Sequence, residues 1–318
     1  MCELWRKETE MSETDNVTAE ELEDFVAIGP GARDIPPGVI MEYPTRILAS
    51  IPRCEGVATG PDGKLFAANE AGELFRIDPA DGSFERVADF GGWGVGLCVD
   101  GDGLVYVCVI DKHKIVRADP HTGEVVDYCK TVEGGPLPSP NYCAFGADGT
   151  LYVTDSRGPG KEEREGRVCA IPPGGGDASV VPGERLYYAN GMAVRKDGTL
   201  FVVDTFVQPR VVTITDGKVE TYVELPGTVP DGLAFDDAGG LMISCFQPNR
   251  LLRVEPGSAE ARIVIDDWTG QLLLSPTNIA FFGPDNRSIA FASLLGWWLS
   301  AIDTPWAGQR LFYPPPSP

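Results

Sequence analysis

From Arg46 onward the chain is a succession of short runs of β-branched and aromatic residues broken by Asp-Gly-type turns. The turns fall at Asp62-Gly63, Asp102-Gly103, Asp148-Gly149, Asp197-Gly198, Ala238-Gly239 and Asp285-Asn286, separated by 40, 46, 49, 41 and 47 residues. Each of the six units reads as a strand, this turn, a second strand, a third that ends near an acidic or Pro/Gly turn, and a more variable fourth. VATGPDGKLFAAN followed by GELFRIDP is one example, and CAFGADGTLYVTD followed by GRVCAIPP another. Four-stranded units at this period are the signature of a propeller, whose radial closure leaves only short edges unpaired. The spacing therefore predicts an all-β fold, a six-bladed β-propeller of four-stranded blades. Residues 42–51 (EYPTRILASI) precede the first unit and read as a strand lent to the last blade to close the ring.

Seven residues before each turn stand Glu55, Val95, Asn141, Asn190, Asp231 and Asn278. These are the starts of the inner strands, which surround the central channel, so five acceptors out of six point at a common centre. Taken singly, Asn or Asp before Gly is an ordinary turn former. Glu55 is a poor one, and as a set the acceptors would repel, raising the carboxyl pKa values and leaving desolvated amides unsatisfied. A bound divalent cation removes that cost. Oxygen donors without Cys or His point to a hard ion, Ca²⁺ first, then Mg²⁺ or Mn²⁺, and not to structural zinc, with Zn²⁺ last among the ions to be tried. Glu55, Asn141, Asn190 and Asp231 would leave about two to four of the 6–8 positions Ca²⁺ prefers open to substrate. Folding each hairpin at its turn puts Asn69/Glu70, Asp155/Ser156, Asp204/Thr205 and Cys245/Phe246 opposite the ring. Asp155 and Asp204 thereby become candidates either for support of the site and substrate contact or for structural hydrogen bonds to a neighbouring blade.

The chain has 318 residues, with 26 basic against 47 acidic side chains and a net charge of −21, which disfavours nucleic acid and anionic membranes as partners. No apolar run is long enough for a membrane helix, and MCELWRKETEMSETDN lacks the apolar segment of a secretory signal, so a cytoplasmic location is expected. The eight scattered cysteines then read as buried thiols. Residues 1–34 form an acidic tail or cap with a short helix over 18–25 (TAEELEDF), and residues 35–318 the propeller. Met11, opening MSETDN, reads as a second possible start.

EGVATGPDG, NYCAFGADGTLYVTDS, NGMAVRKDGTLFVVDT and PDGLAFDDAG resemble the signatures of the gluconolactonase, regucalcin (senescence marker protein) and luciferin-regenerating-enzyme-like family, related to paraoxonase and diisopropylfluorophosphatase. The resemblance spans about residues 46–303. It implies one Ca²⁺ or similar ion held on the channel axis by Glu55, Asn141, Asn190 and Asp231, and hydrolysis of sugar lactones, other cyclic esters or organophosphates with Asp231 as base or nucleophile. Two features depart from the pattern: Tyr142 stands where many relatives have Asp, and PLPSPN offers no Arg for a polar sugar. Trp93, Tyr142, Tyr187, Phe206, Phe246, Trp297 and Trp298 would instead give the mouth an aromatic lining and suit a less polar lactone or aryl ester, unless they pack between blades. Tyr142, Asp155, Asp204, Asn278, Trp93 and Phe246 are accordingly the expected substrate contacts. His113 and His121 are expected at the surface, and no G-x-S-x-G elbow accompanies them. The expected activity is metal-dependent opening of a lactone, a small-molecule substrate. Phosphotriester hydrolysis at the same site and a non-catalytic calcium- or ligand-binding propeller are the competing readings, with a metal-free propeller resembling strictosidine synthase behind them.

Overall fold

The computed structural model describes residues 40–157 and 163–314. The acidic tail, its helix over 18–25, Cys2 and the boundary at 34/35 lie outside the described residues. Six antiparallel four-stranded sheets follow one another as blades. Their inner strands are Cys54–Thr59, Gly94–Val99, Pro140–Phe145, Ala189–Val194, Val229–Phe235 and Pro276–Phe282, for blades 1 to 6 in order. Each pairs with the strand beyond the predicted turn, then with a third and a fourth further from the axis. Inner strands pack on one another in the order of the blades, and that of blade 6 packs back on blade 1.

The turns work because their second residue adopts a left-handed backbone. Gly63, Gly103, Gly149, Gly198, Gly239 and Asn286 have φ between 52° and 91°, a region that glycine enters freely and asparagine more readily than most residues. In each, this residue's N–H donates to the carbonyl three positions back, as from Gly198 to Arg195 O at 2.8 Å.

Residues on the two faces of each blade alternate into separate apolar layers, and the core is six wedges between neighbouring blades. The wedge between blades 1 and 2 joins Phe66, Leu74 and Phe90 to Leu97, Val105 and Val116; that between blades 4 and 5 joins Phe201 and Val211 to Leu233 and Leu241. As expected, Thr45–Ala49 pairs with Leu299–Asp303 as the outer strand of blade 6, so both ends of the ring meet in one sheet. Ile40–Met41 adds a fifth strand to the outer edge of blade 5, beside Ala261–Asp266, which the repeat did not predict.

After Asp303 the chain crosses the end of the propeller that carries the turns, here termed the turn face. Asp237 N donates to Ala307 O (2.7 Å), Gln309 N to Phe235 O (2.8 Å), Gln309 Nε2 to Val194 O (2.9 Å), Tyr313 Oη to Thr59 O (2.9 Å) and Gly101 N to Pro314 O (2.8 Å). This strap spans the channel and touches every blade: Asn286 of blade 6 binds Gly308 O, and Pro314 lies over Gly149 of blade 3.

Candidate metal centre

The opposite end, where the inner strands begin, is the ring face. In every blade the ladder between the first two strands is interrupted at the ring position. The breaks lie between Cys54 and Gly56, Gly94 and Leu97, Pro140 and Cys143, Ala189 and Met192, Pro230 and Leu233, and Pro276 and Ile279. Glu55, Val95, Asn141, Asn190, Asp231 and Asn278 all fall inside them. A bulge releases its residue from the up-down alternation of the strand and re-aims the side chain. All six are buried.

Side-chain hydroxyls fix the backbone just before these residues. Ser156 Oγ of blade 3 donates to Ala189 O (2.6 Å), Thr205 Oγ1 of blade 4 to Pro230 O (2.9 Å), and Thr277 Oγ1 of blade 6 to Glu55 O itself (2.7 Å). Ser244 Oγ of blade 5 makes the equivalent bond to Thr277 O. Each blade from 3 to 6 thus holds the ring segment of the next.

The electrostatics are those of an uncompensated acceptor cluster. Burial, reinforced by the nearby Asp231, pushes the Glu55 carboxyl up to about 8 against a hydrogen bond from Trp93. Burial raises Asp231 to about 7, opposed by side-chain hydrogen bonds from Asn190 and Asn278. Neither carboxyl has a basic side chain among the groups that shift it. Glu55 Oε2, Asp231 Oδ1 and Asn278 Oδ1 are buried without a hydrogen-bond partner, a costly arrangement unless a cation occupies the centre. The donor set, carboxylate and amide oxygen only, fits a hard divalent ion. Among the described residues no three His, Cys, Asp or Glu side chains are arranged to hold a metal, so the amides are needed to complete such a set.

Asn141 Nδ2 donates to Tyr188 Oη at 3.3 Å, which leaves its Oδ1 for the centre. Tyr188 packs edge-on against Phe206, with centroids 4.9 Å apart, and feels the charge of both Glu55 and Asp231. Of the adjacent tyrosines, then, Tyr188 reaches the ring, whereas Tyr187 lies beneath the Arg164 guanidinium at 4.8 Å. Nothing in the LYYAN segment separates the two.

Asp155 and Asp204 are fully buried, and their hydrogen-bonding capacity is taken up by protein groups. Asp155 accepts from Ser139 N (3.0 Å) and Arg167 Nε (2.8 Å), Asp204 from Tyr187 N (2.9 Å), Tyr188 N (3.0 Å) and Arg210 Nη2 (3.3 Å). They brace the loops that lead into Asn141 and Asn190. Asn69 differs: its Oδ1 accepts from Ala71 N and Glu73 N and so holds the turn between the second and third strands of blade 1. Phe246 is half-buried near the end of Leu241–Gln247. Tyr142 is buried on the channel wall below the ring, and that burial pushes its phenol well above the usual value. His113 and His121 are exposed. The seven described cysteines are free thiols, and no described helix is long and apolar enough to cross a membrane.

Residues 128–294 match the model of the SMP-30/gluconolactonase/LRE-like region, just over half of the chain. No curated protein matches by sequence. Among solved structures, a gluconolactonase from Xanthomonas campestris superposes with a TM-score of 0.69 at 20% identity, over 84% of this chain and 91% of its own. A calcium-binding regucalcin from Agrobacterium tumefaciens gives 0.70 at 18% identity over 88% and 99%. A streptogramin B lyase gives 0.61 at 15% over 82% and 97%, so the same frame carries more than one kind of named enzyme.

Proposed function

The chain belongs to the SMP-30/gluconolactonase/LRE-like family, and on that footing we propose that it is a divalent-cation-dependent lactone hydrolase whose ion, Ca²⁺ first, is held by Glu55, Asn141, Asn190 and Asp231. One observation carries the reading: buried, unpartnered oxygens of Glu55, Asp231 and Asn278 at the ring positions, with no basic side chain among the described residues acting on the two carboxyls. When bound, the cation would polarise the ester carbonyl and stabilise the developing oxyanion.

The protein groups do the rest. Asp231 takes the proton of the attacking water or attacks the carbonyl itself, and Asn278, bonded to Asp231, fixes its orientation. Tyr188 turns the Asn141 amide so that its oxygen faces inward. Trp93 bonds Glu55 from the rim and restricts water there. The substrate is a small molecule, and the rim favours a less polar lactone or aryl ester. Trp93, Val207, Trp268, Leu295 and Trp297 are all on ring-face loops and are 37% to 65% exposed. Free thiols at every described cysteine suit a reducing, cytoplasmic setting, which we include in the proposal.

The test is hydrolysis of a panel running from gluconolactone to dihydrocoumarin by protein stripped with chelator and resupplied with Ca²⁺, Mg²⁺, Mn²⁺ or Zn²⁺ singly. Turnover is expected to return with metal and to be faster on the aromatic lactone. Asp231→Asn should fold and lose at least about a thousandfold in kcat, in the range of losing a principal catalytic group. Full activity in the stripped protein or in this variant would overturn the assignment.

A further inference from the structure

Below the ring the channel widens into a cavity of about 290 Å³ that reaches toward the turn face, close to the lower bound of roughly 300 Å³ for small-molecule pockets. Its shape follows from the repeat. Three residues after each ring position the wall carries Ala58, Cys98, Ala144, Ala193 and Ala234, with Phe281 alone being large. Five small side chains around an axis leave a hollow that six blades cannot close by moving inward, because their inner strands already touch. The strap covers its outer end with Gln309–Tyr313.

The polar groups of this lining are nearly all committed. Gln309 bonds through both ends of its amide, to Val194 O and from Lys196 N; Thr59 Oγ1 donates to Phe281 O; Asn286 Nδ2 donates to Gly308 O; Tyr313 Oη donates to Thr59 O. Cys98 and Cys143 lie 3.5 Å apart, sulfur to sulfur. Tyr142 is 7% exposed, and its hydroxyl makes no hydrogen bond among the described residues, yet it is not among the buried atoms sealed without a partner, as fits a group open to the cavity. Among the described residues no carboxylate or lysine lines the cavity, and the one arginine there, Arg310, is exposed.

We infer that this half of the channel is a second ligand site, separate from the ring, for a small neutral aromatic molecule that carries one hydrogen-bond acceptor to meet the Tyr142 hydroxyl. The apolar wall takes the ring system, neutrality matches a lining whose one charged side chain, Arg310, is exposed, and the uncommitted Tyr142 hydroxyl sets the acceptor. The position after the ring residue is Gly in blades 1, 2, 4 and 5, at Gly56, Gly96, Gly191 and Gly232, so Tyr142 is the place where a polar group enters the channel wall at that level.

The naphthyl ketone prodan, neutral and blue-shifted in apolar surroundings, is a suitable probe for the full chain. Saturable one-to-one binding with a blue shift is expected, unchanged by chelator and by Trp297→Ala at the ring-face rim. Ala193→Leu and Ala234→Leu, which fill the hollow, should abolish it. Tyr142→Phe, which keeps the ring and removes the donor, should weaken it about five- to tenfold, the worth of one hydrogen bond. Loss of the signal in Trp297→Ala would put the dye at the rim and overturn the inference, as would absence of saturable binding. If a leucine variant does not fold, Tyr142→Phe still decides: unaltered affinity there would refute the site as described.

Discussion

Asp231 and Asp204 are both buried aspartates on the ring side of neighbouring blades, yet their surroundings give them opposite consequences. Asp204 faces Arg210 and two backbone amides; Asp231 faces two asparagines and Glu55. Replacing Asp204 by Asn leaves the guanidinium without its counter-charge, and the denaturant midpoint should fall by the equivalent of about 2–3 kcal/mol, below the roughly 3–5 kcal/mol for a fully buried pair because Arg210 is partly exposed. Replacing Asp231 by Asn removes a buried charge that no cationic side chain among the described residues balances. The chelated variant should melt at or above the chelated wild type, and the rise in melting temperature on adding Ca²⁺, large in the wild type, should vanish. A lower apo melting temperature for this variant would mean that Asp231 is structural. The ring itself was legible from sequence because its distance from each turn is constant, and the turn is marked by Gly or Asn. Tyr188 was not, and for Asp155 and Asp204 a structural role was one of two readings but its partners were not, since these depend on hydrogen bonds to loops whose paths no local pattern encodes.

At the scale of the element, two glycines in blade 4 separate local from long-range constraint. Gly198 sits in the turn at φ 88° with open space around its α-carbon, so Gly198→Ala meets only backbone strain and should cost about 1 kcal/mol. Gly191 has an ordinary φ, but a Cβ there would stand 1.9 Å from Asp231 O in the next blade. Gly191→Ala must push two inner strands apart beside the ring. It should cost more than Gly198→Ala, about 2–4 kcal/mol, and weaken Ca²⁺ binding as well, which calorimetry of the two variants would separate. The constraint on Gly198 is written in the sequence as a turn motif. That on Gly191 hides behind a similar local signature, the Asn190-Gly191 pair, and emerges only when the neighbouring blade is placed against it. The bulges that aim the ring are long-range in the same way: the seven-residue spacing located them without revealing that each one interrupts a ladder.

Closure of the whole molecule has two devices of different origin. The outer strand of blade 6, Thr45–Ala49, was predictable because five blades complete themselves from consecutive sequence and the sixth lacks its last strand. The strap was not predictable, because a single non-repeating crossing has no period, and its partners lie far away in the chain. Its anchoring is dense. Arg253, buried and paired with Asp236 at 2.5 Å, also stacks over Trp306 at 4.3 Å. Gln309 reaches blade 4, and Phe312 packs into the wedges on both sides of blade 3. Gln309→Ala strips partners from Val194 O and Lys196 N, and should lower stability by about 1–3 kcal/mol. Ending the chain after Pro305 removes these bonds together with the cover over the channel, so the loss should exceed that of Gln309→Ala in thermal melts. Because the strap crosses the turn face while the ring lies at the other end of the inner strands, Ca²⁺ should still raise the melting temperature of the shortened chain by about as much as it does the full one. A shortened chain that folds but no longer responds to Ca²⁺ would show that the two ends of the channel are coupled, and would move the stabilising role of the strap from the blades it ties to the centre at the far end.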